Sequence, residues 1–277
     1  MDKEVVVVIG AGGIGLAIAR RQGFGKNVLL ADFNEKTLMS AAESMRNSAY
    51  AVETHVVDVS SRASVQALAS AAAALGRVVQ VINTAGLSPN MAPVARVLEV
   101  DLYGSAVVFD EFEKVIAQGG AGLIVSSMAA HMMPALPPEQ NHALAYTPTD
   151  ELLALPLLQP DAVPNTLVAY MLAKRANNLR VQASAMTWGA RGARVNSLSP
   201  GIIVTPLALH ELNSEIGDIY RAMVAASPTR RMASPDEVAV AASFLLGPDA
   251  GFITGSDLLI DGGVIAAMRA GKLPTLG

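Results

Sequence analysis

Short runs of valine, isoleucine and leucine alternate along the chain with alanine- and leucine-rich stretches. The runs VVVVI (5–9), NVLLA (27–31), AVETHVV (51–57), VVQVIN (78–83), GLIVS (122–126) and RVNSLS (194–199) read as strands, with a last one at DLLI (257–260). Ser61 to Leu75, Val168 to Trp188 and Pro235 to Leu246 read as helices between them. This βαβα order predicts an α/β fold: a doubly wound parallel sheet with helices on both faces, whose strands lack a polar side because both sides are covered. Ligands of such sheets bind beyond the carboxyl ends of the strands, so the residues after each strand are where chemistry is expected.

Residues 131–165 break the alternation, with seven prolines and no β-branched run. They read as an insertion of short helices, one of them started by Thr147 with Pro148 at the first helical position. Because the segment leaves the chain after Ser127 and returns before Tyr170, it is expected to form a lid over the substrate. Leu152, Leu153, Leu155, Leu157 and Leu158 would then exclude water. The competing reading is that these leucines pack at a subunit interface.

The 277 residues contain no linker-like stretch, so a single domain spanning 1–277 is expected. With no cysteine, disulfides and thiolate chemistry are excluded, and four histidines without ligand spacing argue against a metal site. A net charge of −4 with 4% aromatics offers no footprint for nucleic acid, which leaves a small molecule as the expected partner. The apolar stretch 5–19 is too short to span a membrane and holds four glycines; after the acidic start MDKE it does not resemble a signal peptide. A cytoplasmic protein without a membrane partner is expected.

Gly10-Ala11-Gly12-Gly13-Ile14-Gly15 follows the first strand and opens a helix, the context in which a glycine turn lets backbone approach a pyrophosphate at the positive end of the helix. Asp32 ends the second strand, where an acid accepts hydrogen bonds from an adenosine ribose. Asp32 and Glu35 also have the spacing of a capping box, so both roles stand open. NAD is expected over NADP, because Asp32 would repel a 2′-phosphate and Phe33-Asn34 supplies no arginine.

Tyr170-Met171-Leu172-Ala173-Lys174 places two chemically active side chains four residues apart, on one face of a helix. With the glycine loop, this motif makes nearly the whole chain resemble the short-chain dehydrogenase/reductase family. The resemblance implies a Rossmann-type sheet in the order 3-2-1-4-5-6-7 and an oxidoreductase moving a hydride between a nicotinamide cofactor and an alcohol or carbonyl. Tyr170 would be the general acid/base, and Lys174 would hold the nicotinamide ribose. A neighbouring ammonium suits that division, since it favours the phenolate.

The same resemblance assigns the substrate-binding hydroxyl to Ser127, with Ser126 as the alternative. It places Asn83-Thr84-Ala85-Gly86 after the fourth strand and Asp58-Val59 at the adenine. Pro200-Gly201, Ile203 and Thr205 belong to the segment that meets the nicotinamide amide, and Gly255 with Asp261-Gly262-Gly263 matches the family's ending. A homodimer or homotetramer is implied.

Three departures stand out. The glycine loop is one residue short. Asp101 occupies the place of the family's active-site asparagine, where it would accept a hydrogen bond from a water linked to Lys174. Ser127 and Tyr170 lie 43 residues apart, far more than is usual. The rival readings are a dinucleotide-sensing regulator without turnover and an epimerase or dehydratase on the same scaffold. Met132, Met133, Leu136 and Leu207 suggest an apolar ketone or secondary alcohol as substrate.

Overall fold

The computed structural model describes residues 3–205, 208–209, 212 and 217–273. Seven strands form one parallel sheet in the order β3-β2-β1-β4-β5-β6-β7. They are β1 (Glu4–Ile9), β2 (Asn27–Asp32), β3 (Ala51–Val56), β4 (Arg77–Asn83), β5 (Ile116–Val125), β6 (Arg194–Pro200) and β7 (Asp257–Ile260). Alternate strand residues feed two cores. Val5, Val7 and Ile9 pack on one face with Trp188 and Phe112, while Val6 and Val8 pack on the other with Leu38 and Leu245. Strand β5 starts earlier than its β-branched run suggests, at Ile116, which pairs with Val78 before the register shifts. The glycines of Gln118-Gly119-Gly120 hide this first half from the hydrophobic pattern.

Helices α1 (Gly13–Gly23), α2 (Glu35–Arg46) and α3 (Arg62–Leu75) follow the first three strands. Helix α2 is capped by Asn34, which accepts from the Thr37 amide, and not by Asp32. The carboxylate of Asp32 instead accepts from the Ala11 and Asn34 amides, so the expected Asp32–Glu35 box does not form. Beyond β4, the short α4 (Val94–Val97) runs through a π-helical turn, Leu98–Gly104, into α5 (Ser105–Glu113). Asp101 sits in that turn. Helix α7 (Thr166–Ala190) is capped by Asn165 and carries Tyr170 and Lys174. The chain ends in α8 (Gly217–Ala226), α9 (Pro235–Leu246) and α10 (Val264–Arg269). A full capping box of Ser234 and Glu237 starts α9.

The segment 131–165 folds into α6 (Pro138–Tyr146) and two 3-10 turns, Thr149–Ala154 and Pro156–Leu158. Thr147 ends α6 rather than capping a new helix. The leucines expected to form a lid or a subunit interface pack within the chain itself. Leu144, Leu152, Leu158 and Val163 are buried against Val97, Leu98 and Leu102 on one side and Ala169, Leu172 and Ala176 of α7 on the other. Leu153, Leu155 and Leu157 pack at the margin of this cluster. Of the whole segment only Met132 lines the main cavity. The leucines cover the apolar flank of the chain's own helices.

Polar contacts fasten the segment there. The Arg180 guanidinium, 8% exposed, donates to the carbonyls of Leu144 (3.3 Å) and Thr147 (3.0 Å) and to Thr149 Oγ1 (2.9 Å). Arg62 joins Asp150 at the segment's surface to Asp110 and Glu111. Arg180→Met is expected to cost about 2–3 kcal/mol of unfolding free energy, because it strands buried acceptors. Urea denaturation checks this, and a wild-type midpoint would show that water replaces the guanidinium.

Candidate active site

The site is assembled at the carboxyl ends of β1, β4, β5 and β6, as the topology requires. In the glycine loop, Gly10 has φ +94°, and a Cβ there would lie 2.5 Å from Thr84 Oγ1. Thr84 in turn donates to the Ile9 and Gly10 carbonyls. A Cβ on Gly15 would lie 1.8 Å from the Gly10 carbonyl oxygen, so β1 and α1 approach as closely as they do only without one. By contrast, a Cβ on Gly12 meets nothing within 4 Å, and Gly12 starts α1 with no side-chain cap. The first turn of α1 is therefore open to an anion. Gly13 faces Thr205, with 3.4 Å from its ideal Cβ to Thr205 Cγ2, which brings the loop to the β6 end of the site. These features fit a dinucleotide laid across the strand ends.

A cavity of about 350 Å³ opens here. Ile14, Thr84, Gly86, Ser127, Tyr170 and Lys174 line it, together with Pro200, Gly201, Ile203 and Thr205. Thus ten of the expected residues are brought together. Gly10, Gly12, Gly13, Gly15, Asp32, Phe33, Asp58, Val59 and Ala85 do not line it. They lie along the strand ends towards β3, where Phe33 is exposed and the Asp58 carboxylate binds Ser60 and Arg96. Burial pushes Asp58 up, but Ser60 and Arg96 outweigh it and hold the carboxyl below its usual range.

The two serines after β5 are separated by their partners. Ser126 is buried and donates to the Lys174 carbonyl at 3.1 Å. The Ser127 oxygen accepts from the Ala129 amide at 3.1 Å, an arrangement that leaves its own hydrogen for another acceptor. On α7, Lys174 Nζ lies 5.3 Å from the centroid of the Tyr170 ring.

Behind Lys174 lies Asp101, fully buried, with Oδ2 3.4 Å from Nζ and Oδ1 accepting from the Leu87 amide at 2.7 Å. The Asp101 carbonyl accepts from Asn177 and Ser105. Burial raises the Asp101 carboxyl above its ordinary value, although the ammonium and the Leu87 amide oppose it. Burial also acts against the charge on Lys174, but Asp101 and then Tyr170 outweigh it and raise the ammonium. The two directions pull against each other for a single pair. We assign the charged pair, since the amide and the ammonium both face the carboxylate. Gly86 leaves the room: a Cβ there would lie 3.2 Å from Lys174 Nζ.

A family model described as enoyl-(acyl carrier protein) reductase matches residues 9–145 and 157–265, breaking only within the inserted segment. A short-chain dehydrogenase/reductase from Alternaria brassicicola, bsc3, is 39% identical over 267 residues, covering 96% of this chain and 97% of the relative. The chain belongs to the short-chain dehydrogenase/reductase family. It is an oxidoreductase of alcohol and carbonyl groups, in a family whose cofactor is NAD(P). The D-threitol dehydrogenase of Mycolicibacterium smegmatis is 31% identical, with 95% of this chain and 93% of the relative covered. Among solved structures, a short-chain dehydrogenase/reductase from Mycobacterium ulcerans has a TM-score of 0.77 at 23% identity, over 96% of this chain and 90% of that one. The actinorhodin polyketide ketoreductase with NADPH has a TM-score of 0.74 at 23% identity, over 95% and 97%.

The family pattern does not locate the far wall of the cavity. Ile219, Tyr220 and Met223 of α8 and the Leu87-Ser88-Pro89-Asn90 loop line it. A helix face turned to a cavity has the same apolar pattern as one turned to a core, so α8 does not announce this role in the sequence. Leu207 lies outside the described residues. Among the described residues no group of acidic or histidine side chains could hold a metal, and no helix is long and apolar enough to cross a membrane.

Proposed function

We propose that the chain is an NAD-preferring enzyme interconverting an apolar, uncharged secondary alcohol and its ketone, with Tyr170 as general acid/base. The observation that carries this reading is the convergence of Ser127, Tyr170 and Lys174 on one cavity beside the glycine loop. When bound, NAD(H) supplies or accepts the hydride. In ketone reduction the Tyr170 hydroxyl gives its proton to the substrate oxygen, and in alcohol oxidation the phenolate takes it. Ser127 donates to that same oxygen, its lone pair being turned to Ala129. Lys174 supplies the positive charge beside the phenol, and Asp101 keeps Lys174 in place by pairing with it.

The cavity wall supports an uncharged substrate. Lys174 is the only charged side chain among the described lining residues, and Leu87, Met128, Met132, Leu167, Ile202 and Met223 supply apolar surface. Initial rates of NADH formation from cyclohexanol, 2-decalol, a 3-hydroxysteroid and D-threitol test the reading. The cyclic alcohols are expected to exceed D-threitol in kcat/KM, and the reverse order overturns the apolar assignment. Absence of turnover on this panel would favour the dinucleotide-sensing regulator.

The Asp32 carboxylate, oriented by the Ala11 amide at 2.7 Å and the Asn34 amide at 2.8 Å, supports NAD over NADP. Its charge would stand against a 2′-phosphate. Asp32→Ala is expected to lower the kcat/KM ratio for NAD over NADP at least about tenfold, since a close like-charge contact is worth more than one kcal/mol even when partly screened. A ratio unchanged by the substitution would remove Asp32 from cofactor choice.

A further inference from the structure

Ser127 begins a single 3-10 turn, Met128–His131, and its oxygen caps the Ala129 amide. At the far end of the turn, His131 Nε2 lies 2.7 Å from Asp257 Oδ2. Facing a carboxylate, this nitrogen carries the hydrogen and donates. Asp257 opens β7, and Ser197 Oγ (2.8 Å) and Ser199 Oγ (2.8 and 2.9 Å) also donate to it. Ser199 immediately precedes Pro200-Gly201, and Asn178 of α7, one turn beyond Lys174, donates to Ser199 Oγ at 3.4 Å. Two walls of the cavity, the Ser127–Ala129 turn and the Pro200–Ile203 strand end, are therefore fastened to one carboxylate. Neither His131 nor Asp257 lines the cavity, and their side chains are 20% and 14% exposed.

We propose that His131 and Asp257 are a positioning pair, which fixes Ser127 relative to the strand end bearing Pro200-Gly201; this rests on the role given to Ser127 above. The buried Met128, Ala129 and Ala130 seat the body of the turn by packing, and the His131–Asp257 bond adds a side-chain polar tie at its end. Ser126 ties the start of the turn to Lys174, its carboxyl end runs into Met132 and the proline-rich segment, and at that end the histidine supplies the side-chain tie. Displacing a substrate-orienting group by about 1 Å costs up to about a hundredfold in rate, even when the altered residue is remote from the chemistry.

The test compares His131→Ala with His131→Gln, whose amide nitrogen can reach Asp257 as Nε2 does. Hydrogen exchange is read over 127–132, with NADH absent and present, and NADH affinity is read from its fluorescence. Turnover is read on whichever of cyclohexanol, 2-decalol and a 3-hydroxysteroid the wild type oxidises fastest. His131→Ala is expected to speed exchange in the turn about tenfold or more, as a lost local tie should. It is expected to lower kcat about 10- to 100-fold. NADH affinity should hold within about twofold, because the glycine loop is untouched, and His131→Gln should recover most of kcat. Unchanged exchange in His131→Ala overturns the proposal, and so does faster exchange with wild-type kcat, which would leave only an ordinary surface anchor. A wild type inactive on all three alcohols defeats the functional reading instead, and the exchange result then decides the tie alone.

Discussion

Tyr170→Phe is expected to lower kcat by about 10²- to 10⁴-fold, with the Kd for NADH within about twofold of wild type. The substitution removes one oxygen and keeps the ring whose centroid lies 5.3 Å from Lys174 Nζ, so the lysine retains its neighbour. Helix α7 is held elsewhere. Ala169, Met171, Leu172 and Ala173 are buried around Tyr170, and Asn165 caps the helix start. Stability should therefore change little, and any loss of rate reports proton transfer. Steady-state absorbance gives kcat and fluorescence titration gives the Kd. A Phe variant with wild-type kcat would require another acid, and within the described cavity wall only the serines, threonines and Tyr220 offer a hydroxyl.

The residues that made the fold and the candidate site legible are those whose type is itself a physical constraint. Valine runs marked the strands because a strand covered on both faces admits little else. Gly10 and Gly15 were readable because no other residue fits, and Tyr170 with Lys174 because four-residue spacing puts them on one face. What stayed hidden depends on partners distant in sequence. Leu152 and Leu158 are equally apolar over a substrate or against α7, so their pattern could not choose between a lid and a buttress. Asp32 had capping spacing, yet it lost α2 to Asn34 because its carboxylate turns back to Ala11. Nothing near His131 in sequence announces Asp257.

Asp101 shows the same limit from the other side. Its residue type was visible as a departure from the family, but its complete burial against Lys174 came only with the π-helical turn that carries it. Such turns insert one residue into the helical ladder and recur at functional sites. The extra residue here lets one short segment present the Asp101 side chain to Lys174 and Leu87 while its carbonyl accepts from Asn177.

From this burial follows a large effect on stability. Lys174→Met is expected to lower the unfolding free energy by about 3–5 kcal/mol at neutral pH, because it leaves a buried carboxylate without its counter-charge. Asp101→Asn in the same chain should recover most of that loss, since a neutral amide keeps the shape and accepts the Leu87 hydrogen bond without the charge. The pH dependence gives the sign. Burial already raises Asp101 above its ordinary value of 3.8 in the presence of the ammonium, and removing the ammonium can only raise it further. A carboxyl raised in the folded state costs no stability below its unfolded value and costs progressively more as the pH rises towards its folded one. The deficit of Lys174→Met should therefore be small near pH 4 and should grow towards neutrality, and this growth with pH should be absent in the double variant. Urea denaturation of the three chains at acidic and neutral pH measures it. A single variant as stable as wild type at neutral pH would mean that the pair shares its proton as neutral acid and amine, and Asp101 would then hold Lys174 by a hydrogen bond instead of by charge.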